Sequence, residues 1–475
     1  MINNIINTKY PLFWTVLHLL LGVLVSNSTT VLYVWFFGIL AVETPKLLAA
    51  KKGLNIQLNY FITYIVSFEM LCRMARTSPI IPYEMSKYIL FVLFAYGIMM
   101  RYSKGNIGWL MFLLLIPALF YDDSESINTE NLIFNVMGGL DLALGVIYFK
   151  GQSITKEQLL NMLKLCVYPL LAVLSFVVIR TPEYDDIAFD LSANFDTSGG
   201  FGSNQVSTAL GLGLFILVVF WLIGKEFTGN RILELGLILG FFFQGLLTFS
   251  RGGVTGAVIA CLALVFLISF SGGRKMSTKI NLQQIAVYLI PIVILGILVF
   301  QAVDSITGNN LTLRYKGETA GTRAGSKEVS LNTLTTNRYA IFLGDLELWE
   351  ENILLGVGAG ASKDLRPTTE EVPTAAHVEL SRLLAEHGLF GLFYFILILL
   401  IPFTVWRSNP DPLYRSILIA IYILGLYTSF HAAMRTYITP LLISMSLIVV
   451  KETVPTLRKK IELNIDKLSL SNYIK

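Results

Sequence analysis

Long uninterrupted apolar blocks decide which solvent this chain can fold in. Stretches such as Ala209–Ile223 and Gly256–Phe270 hold no charged residue. With their flanks they approach the ~20 residues a helix needs to cross ~30 Å of hydrocarbon. Lipid offers the backbone no hydrogen-bond partners, so such blocks are read as helices, which satisfy their own N–H and C=O groups. Composition agrees: 54% of residues are hydrophobic, 14% are charged and mean hydropathy is +0.65. A soluble domain keeps about a quarter of its residues charged, so this chain cannot cover a water-facing surface. The predicted class is all-α, a polytopic transmembrane bundle.

The blocks give about 12–14 spans, some of them below the ~17-residue lower limit. Their centres fall near Leu19, Trp35, Ile65, Phe91, Leu114, Gly139, Leu171, Phe215, Leu239, Leu262, Ile292, Ile396, Ile423 and Ile443. The first block is read as an uncleaved span: only Lys9 precedes it as a basic residue, no small-residue cleavage site follows, and a second span comes at once. Short loops carrying Lys46, Lys51 and Lys52, Arg101 and Lys104, Lys150 and Lys156, Lys225 and Arg231, Arg274, Lys275 and Lys279, and Arg407 and Arg415 alternate with poorly basic ones such as the acidic Tyr121–Glu130. The positive-inside tendency places the basic set, both termini and the tail with Arg458, Lys459 and Lys460 in the cytoplasm. Arg73 and Arg76 fall on the opposite side. The net charge of +4 is largely accounted for by this topology. Cys72, Cys166 and Cys261 lie in or beside apolar spans and read as small core residues, not a disulfide framework.

Two outward segments are too polar to be spans. One runs from Thr181 to about Gln205. The other, from about Val303 to His387, far exceeds the ~12–15 residues usual for an unstructured loop. The expected organisation is therefore residues 1–302 as the first transmembrane helices, 303–387 as an outer subdomain, and 388–475 as the last spans with a basic tail. Within the subdomain, Arg314, Tyr315, Lys316, Arg323 and Lys327 lie among glycines and read as a mobile basic loop. Next, Tyr339, Phe342, Leu346, Trp349 and Ile353 recur at helical spacing behind Thr/Asn cap candidates, with Asp345, Glu347, Glu350 and Glu351 facing elsewhere; this predicts an amphipathic helix. A second helix is expected to carry His377, Leu384 and Gly388 on one stripe and Glu379, Arg382 and Glu386 on a salt-bridged one.

Polar groups at the outer end form the candidate site. Arg251 stands in "TFSRGG", where two spans meet with almost no loop. A deep arginine there suits a phosphate or diphosphate through its planar fork; the plainer reading is a guanidinium held by helix-end carbonyls. Arg338 opens the amphipathic helix and alone would be a solvated surface charge. His377 has the residue type of a general base near neutral pH, although a helical histidine is more often structural. His431, at an outer span end, has Arg435 one turn later. The turn "GGFGSNQ" offers Asn204 and Gln205 at a helix start, suited to an anion or sugar hydroxyl or to a plain connection. There is no H-E-x-x-H, no Walker A lysine and no G-x-S-x-G; "GVGAG" lacks the strand a dinucleotide fingerprint needs. No metal site and no cofactor are expected.

Taken in order, "GGFGSNQ", "TFSRGG", "NRYAIFLGDLELWEENILLGVGAG" and "HVELSRLLAEHGLFGLF" resemble the O-antigen ligase and O-antigen polymerase superfamily of bacterial membrane glycosyltransferases, over roughly Gly199 to Leu400. The ligases' His-x10-Gly pattern is met by His377 and Gly388. Their Arg-x3-Leu pattern is met loosely, with Phe342 in place of the leucine after Arg338. The resemblance implies transfer of a glycan from an undecaprenyl-diphosphate carrier to a glycan or lipid acceptor hydroxyl at the periplasmic face of the bacterial inner membrane. It implies neither metal nor nucleotide sugar. Arg251 and Arg338 would hold the diphosphate and His377 would deprotonate the acceptor, inverting the donor anomeric carbon. Asn204, Gln205, Arg314, Tyr315, Lys316, Arg323, Glu379, His431 and Arg435 would contact the glycans, with Tyr315, Lys316 and Arg323 closing over them. Membrane lipid and a chain-length regulator protein are the expected partners; nucleic acid is not. Polymerisation of repeat units is favoured, with ligation to lipid A-core or another acceptor as the alternative. A lipid-linked glycan flippase is the non-enzymatic reading, disfavoured because no paired repeats are seen.

Overall fold

A computed structural model describes residues 1–7, 9–50, 56–100, 106–120, 129–270, 282–326, 328–367 and 376–452. Lys51, Lys52, Arg101, Lys104, Arg274, Lys275, Lys279, Lys327, Arg458, Lys459, Lys460 and most of the acidic Tyr121–Glu130 stretch lie outside these residues.

The chain is an all-α membrane bundle. Its first half comprises α1 (Ile2–Ile6), α2 (Pro11–Asn27), α3 (Thr29–Leu48), α4 (Ile56–Val66), α5 (Glu69–Met74), α6 (Met85–Met100), α7 (Asn106–Leu115), α8 (Thr129–Phe149) and α9 (Lys156–Arg180). Then come α10 (Ser203–Leu222), α11 (Arg231–Leu247), α12 (Arg251–Phe270) and α13 (Leu282–Ile306). The polar insert folds as α14 (Asn310–Tyr315), α15 (Ala320–Arg323), α16 (Leu331–Leu334), α17 (Arg338–Glu351) and α18 (Ser362–Leu365). The chain closes with α19 (Glu379–Ser408), α20 (Pro412–His431) and α21 (Ile438–Met445). Every span centre read from hydropathy falls inside one of these helices. Among the described residues, 8 helices are long and apolar enough to cross a bilayer; α2, α4, α6, α7, α11 and α21 are shorter.

Local chemistry starts these helices where the chain turns. Thr155 and Gln158 form a reciprocal capping box at α9, Asn230 accepts from the Ile232 and Leu233 amides at α11, and Asp411 accepts from Leu413 at α20. Burial ranks the spans: 94% of the α10 window is buried, against 6% for α13. The first is thus the central post and the second faces lipid. α10 and α12 pack backbone to backbone, since a Cβ on Gly211 would lie 2.3 Å from the Gly253 carbonyl oxygen; small residues permit such approach where no hydrophobic effect drives helices together.

Among the described residues, basic groups near Lys46, Lys156 and the N-terminus gather at one end. Met1 and Lys46 both pair with Glu43. Lys156 pairs with Asp411, and the short strand β1 (Ser153–Thr155) runs parallel to β2 (Val449–Lys451). Asn59, at the start of α4, donates to Gln152 beside β1, which brings the Lys46 loop to the same end. Arg73, the exception to the charge pattern, lies at the opposite end.

Candidate functional site

Where α11 meets α12, Phe249 adopts a left-handed φ of 53°, so the chain reverses within Thr248–Ser250 and Arg251 opens α12. The Arg251 guanidinium donates from Nη1 to the Arg314 carbonyl at 2.9 Å, and from Nη2 to the Leu334 carbonyl and to Thr336 Oγ1 at 3.2 Å. It therefore clamps the ends of α14 and α16. Arg314 is itself buried, with Nη1 on the Leu191 carbonyl at 2.5 Å. The stretch expected to be a mobile basic loop is instead folded. Reciprocal capping boxes, Thr319 with Thr322 and Ser330 with Thr333, start α15 and α16. Lys316 and Arg323 are exposed, and Arg323 reaches Asn310 Oδ1 at 3.4 Å, so neither joins the buried arginines.

Arg338 begins α17 after two left-handed residues, Thr336 and Asn337. Asn337 makes no side-chain cap; Thr335 and Asn332 accept from the Tyr339 and Ala340 amides instead. The predicted apolar stripe is not the buried face. Tyr339 and Ile353 are exposed, whereas Ile341, Gly344, Asp345 and Leu348 are buried. Asp345 turns inward because Arg366 meets its Oδ1 at 2.8 Å and Ser381 its Oδ2 at 2.6 Å. Burial raises the Asp345 carboxyl pKa, and Arg366 opposes that rise. On the other side, Arg338 Nη1 lies 3.0 Å from His431 Nδ1.

His377 does not sit on a helix. It precedes α19, half-buried, and its carbonyl accepts from the Ala433 amide at 3.0 Å. Nor do His377 and Gly388 share a stripe. Gly388, at φ 57°, breaks α19 so that the "GVGAG" backbone can dock there, with Val357 donating to Ala385 at 2.8 Å. The Glu379, Arg382 and Glu386 stripe does form ion pairs, but buried ones. Glu379 also accepts from the Met434 amide at 3.1 Å, so it is committed to holding the fold. Asn204 Oδ1 accepts from Ser250, beside Arg251, at 2.8 Å, and Gln205 Oε1 accepts from Arg73.

Arg73 is the residue that charge patterning missed. It is buried against Glu69 and Glu84, stacks over Tyr83 at 4.3 Å, and donates to the Arg435 carbonyl at 3.2 Å. Lys87 pairs with Glu84 at 2.8 Å, and Asp141 is fully buried close by. The available signal was Glu69 four residues before Arg73 within an apolar run.

The arginines thus divide in two. Arg73, Arg366 and Arg382 are neutralised by carboxylates. Arg251, Arg314 and Arg338 meet only carbonyls, a hydroxyl and an imidazole, with no carboxylate ion pair among the described residues. Burial, and then the charges of its two neighbours, lowers Arg314 to about 10; burial, and then Arg251, does the same to Arg338. Both stay charged at neutral pH and form with Arg251 a cationic cluster, Arg314 buried and the other two half-buried, in which the Asp190 charge partly offsets the effect on Arg314. Burial likewise lowers Arg435 to about 10, reinforced by Arg382. Beside the cluster, Tyr315 packs edge-on against Phe300 at 5.8 Å. Phe300 closes a groove of about 390 Å³ that runs down α10–α13 between residues such as Leu214, Ile238, Val258, Leu262 and Ile297. Its lining side chains are all apolar.

Fold and site together define a multi-pass membrane protein with a cationic cluster at one end of its bundle. Residues 235–396 match the family model described as O-Antigen ligase, which is consistent with the O-antigen ligase and polymerase superfamily. The matched segment contains Arg251, Arg314, Arg338, His377 and Gly388; Asn204, Gln205, His431 and Arg435 lie outside it. No curated protein matches the chain.

Proposed function

We propose that the chain transfers a glycan from an undecaprenyl-diphosphate carrier to an acceptor hydroxyl, and that it does so as a polymerase of polysaccharide repeat units. The observation that carries this reading is the trio Arg251, Arg314 and Arg338, which forms no carboxylate ion pair among the described residues, together with a wholly apolar groove whose Phe300 packs against Tyr315, the neighbour of Arg314. An anion on a long hydrocarbon tail complements both parts at once. In the reaction the acceptor oxygen attacks the donor anomeric carbon as the bond from that carbon to the diphosphate oxygen breaks. The leaving diphosphate takes the bonding pair, and the arginines stabilise its charge. His377 takes the acceptor proton. Attack opposite the leaving group inverts the anomeric centre, and no metal is needed because guanidinium groups supply the positive charge. The site lies at the end away from the basic loops, which supports an outward, periplasmic orientation in the inner membrane. A chain-length regulator would act on such a polymerase from the same side.

Ligation is the second reading, favoured by the description of the matching family; Phe342 at the position of the ligases' leucine speaks for the polymerase. Analysis of lipid-linked oligosaccharides in cells lacking the protein separates them. Single repeat units accumulating on the carrier, corrected by wild type but not by His377→Ala or Arg338→Ala, is the expected result. Full-length chains on the carrier would mean a ligase. Absence of any outer-leaflet intermediate, with transfer intact, would overturn both.

A further inference from the structure

The site needs its cation and its base at a fixed separation, yet Arg338 opens α17 and His377 lies in the non-helical segment before α19. What joins them is a turn beyond the family-matched residues. We propose that the segment from His431 to Arg435 is the positioning element of this site: His431 aims Arg338 at the leaving diphosphate, while Ala433 and Arg435 fix the backbone that carries His377. This rests on the reading given above.

The Arg338–His431 contact has a definite sense. A guanidinium has donors and no acceptor, so at 3.0 Å His431 Nδ1 must supply a lone pair. The imidazole is therefore neutral, with its proton on Nε2. Its ring is buried, only 3% exposed, and lies flat against α12: a Cβ on Gly252 would come within 2.0 Å of Nδ1. The motif "SRGG" thus supplies one cation of the cluster and, in the next residue, the clearance for the histidine that orients another. Arg338 has no carboxylate to hold it among the described residues, and a long side chain without an acceptor samples many rotamers.

The following residues bind the other strand of the site. Ala433, at a left-handed φ of 50°, donates to the His377 carbonyl at 3.0 Å, Met434 donates to Glu379 at 3.1 Å, and Arg435 Nη2 donates to the Ala376 carbonyl at 2.6 Å. The Arg435 carbonyl in turn accepts from Arg73 at 3.2 Å, which anchors the turn to the buried Glu69 and Glu84 pair. One short segment therefore registers Arg338 against His377.

The test titrates detergent-purified protein with inorganic pyrophosphate by calorimetry, and scores polymer made in cells lacking the wild-type chain. His431→Leu should weaken pyrophosphate binding about tenfold, as expected for a lost hydrogen bond to a charged group, and lower transfer up to about 100-fold through misplacement. His431→Asn, whose Oδ1 sits where Nδ1 was, should recover most of both; His431→Gln, with its acceptor displaced, should not. Arg338→Ala should weaken binding, and adding His431→Leu to it should weaken it no further. Wild-type binding by His431→Leu, multiplying losses in the double variant, or equal behaviour of the Asn and Gln variants would each overturn the positioning role. If His431→Leu does not accumulate in the membrane, the Asn and Gln comparison decides. Arg338→Ala with full binding and transfer would instead overturn the cationic-site reading, and this proposal with it.

Discussion

Arg73 and Arg338 belong to the same end of the bundle and differ in what their guanidinium groups meet. Removing Arg73 strands Glu69 in the interior, while Glu84 keeps Lys87, and breaking a buried pair in this way costs about 3–5 kcal/mol. Arg73→Leu should therefore lower the thermal unfolding temperature of the purified protein markedly. Arg338→Leu removes a charge that its neighbours repel, so its unfolding temperature should equal or exceed wild type while transfer is lost. An Arg338→Leu protein destabilised as much as Arg73→Leu would mean that Arg338 is structural. Gly252→Ala tests the same neighbourhood sterically. The added methyl displaces the His431 ring, and transfer should fall by an order of magnitude or more, about the scale of a 1 Å misplacement.

At the scale of elements, the groove along α10–α13 allows a test that leaves the charges alone. A Cβ on Gly296 would meet only Phe242, at 3.9 Å, so Gly296→Leu has room and fills the groove. It should cut transfer with the lipid-linked donor and leave the unfolding temperature unchanged; normal transfer would separate the groove from the donor. How far such elements can be read from a sequence depends on the range of the interaction that makes them. Apolar blocks are local, and each predicted span centre lies in a helix. The inward turn of Asp345 is set by Arg366 and Ser381, far along the chain, so its charge suggested solvent. The stripe from His377 to Gly388 assumed one continuous helix, which a docked backbone and a positive φ at Gly388 prevent. Arg251 and Arg338 were legible because a cation beside an apolar block is conspicuous. Arg314 and His431 became central only through the carbonyl and guanidinium that fold onto them.

For the molecule as a whole, the separation of the basic loops from the arginine cluster predicts an orientation. Cys72 and Cys166 are buried and Cys261 is half-buried, so an introduced thiol can be labelled over a low background. In intact spheroplasts a membrane-impermeant maleimide should modify Lys316→Cys and spare Lys225→Cys, which should react only after permeabilisation. The reverse pattern would place the cluster in the cytoplasm.

The clamp of Arg251 on Thr336 carries a consequence for engineering. Thr336 holds a left-handed φ of 59°, unfavourable for a β-branched side chain and better tolerated by aspartate, and its Oγ1 already touches the guanidinium. Thr336→Asp would relieve that backbone and give Arg251 the counter-ion it lacks, a gain of about 1 kcal/mol. The same carboxylate would compete with any diphosphate. A hardier protein with a silent site is the expected phenotype, seen as a raised unfolding temperature with lost transfer. On the proposed reading, selection for robustness alone would thus steer this chain away from its chemistry, because pairing these arginines with a carboxylate stabilises the fold and blocks the donor.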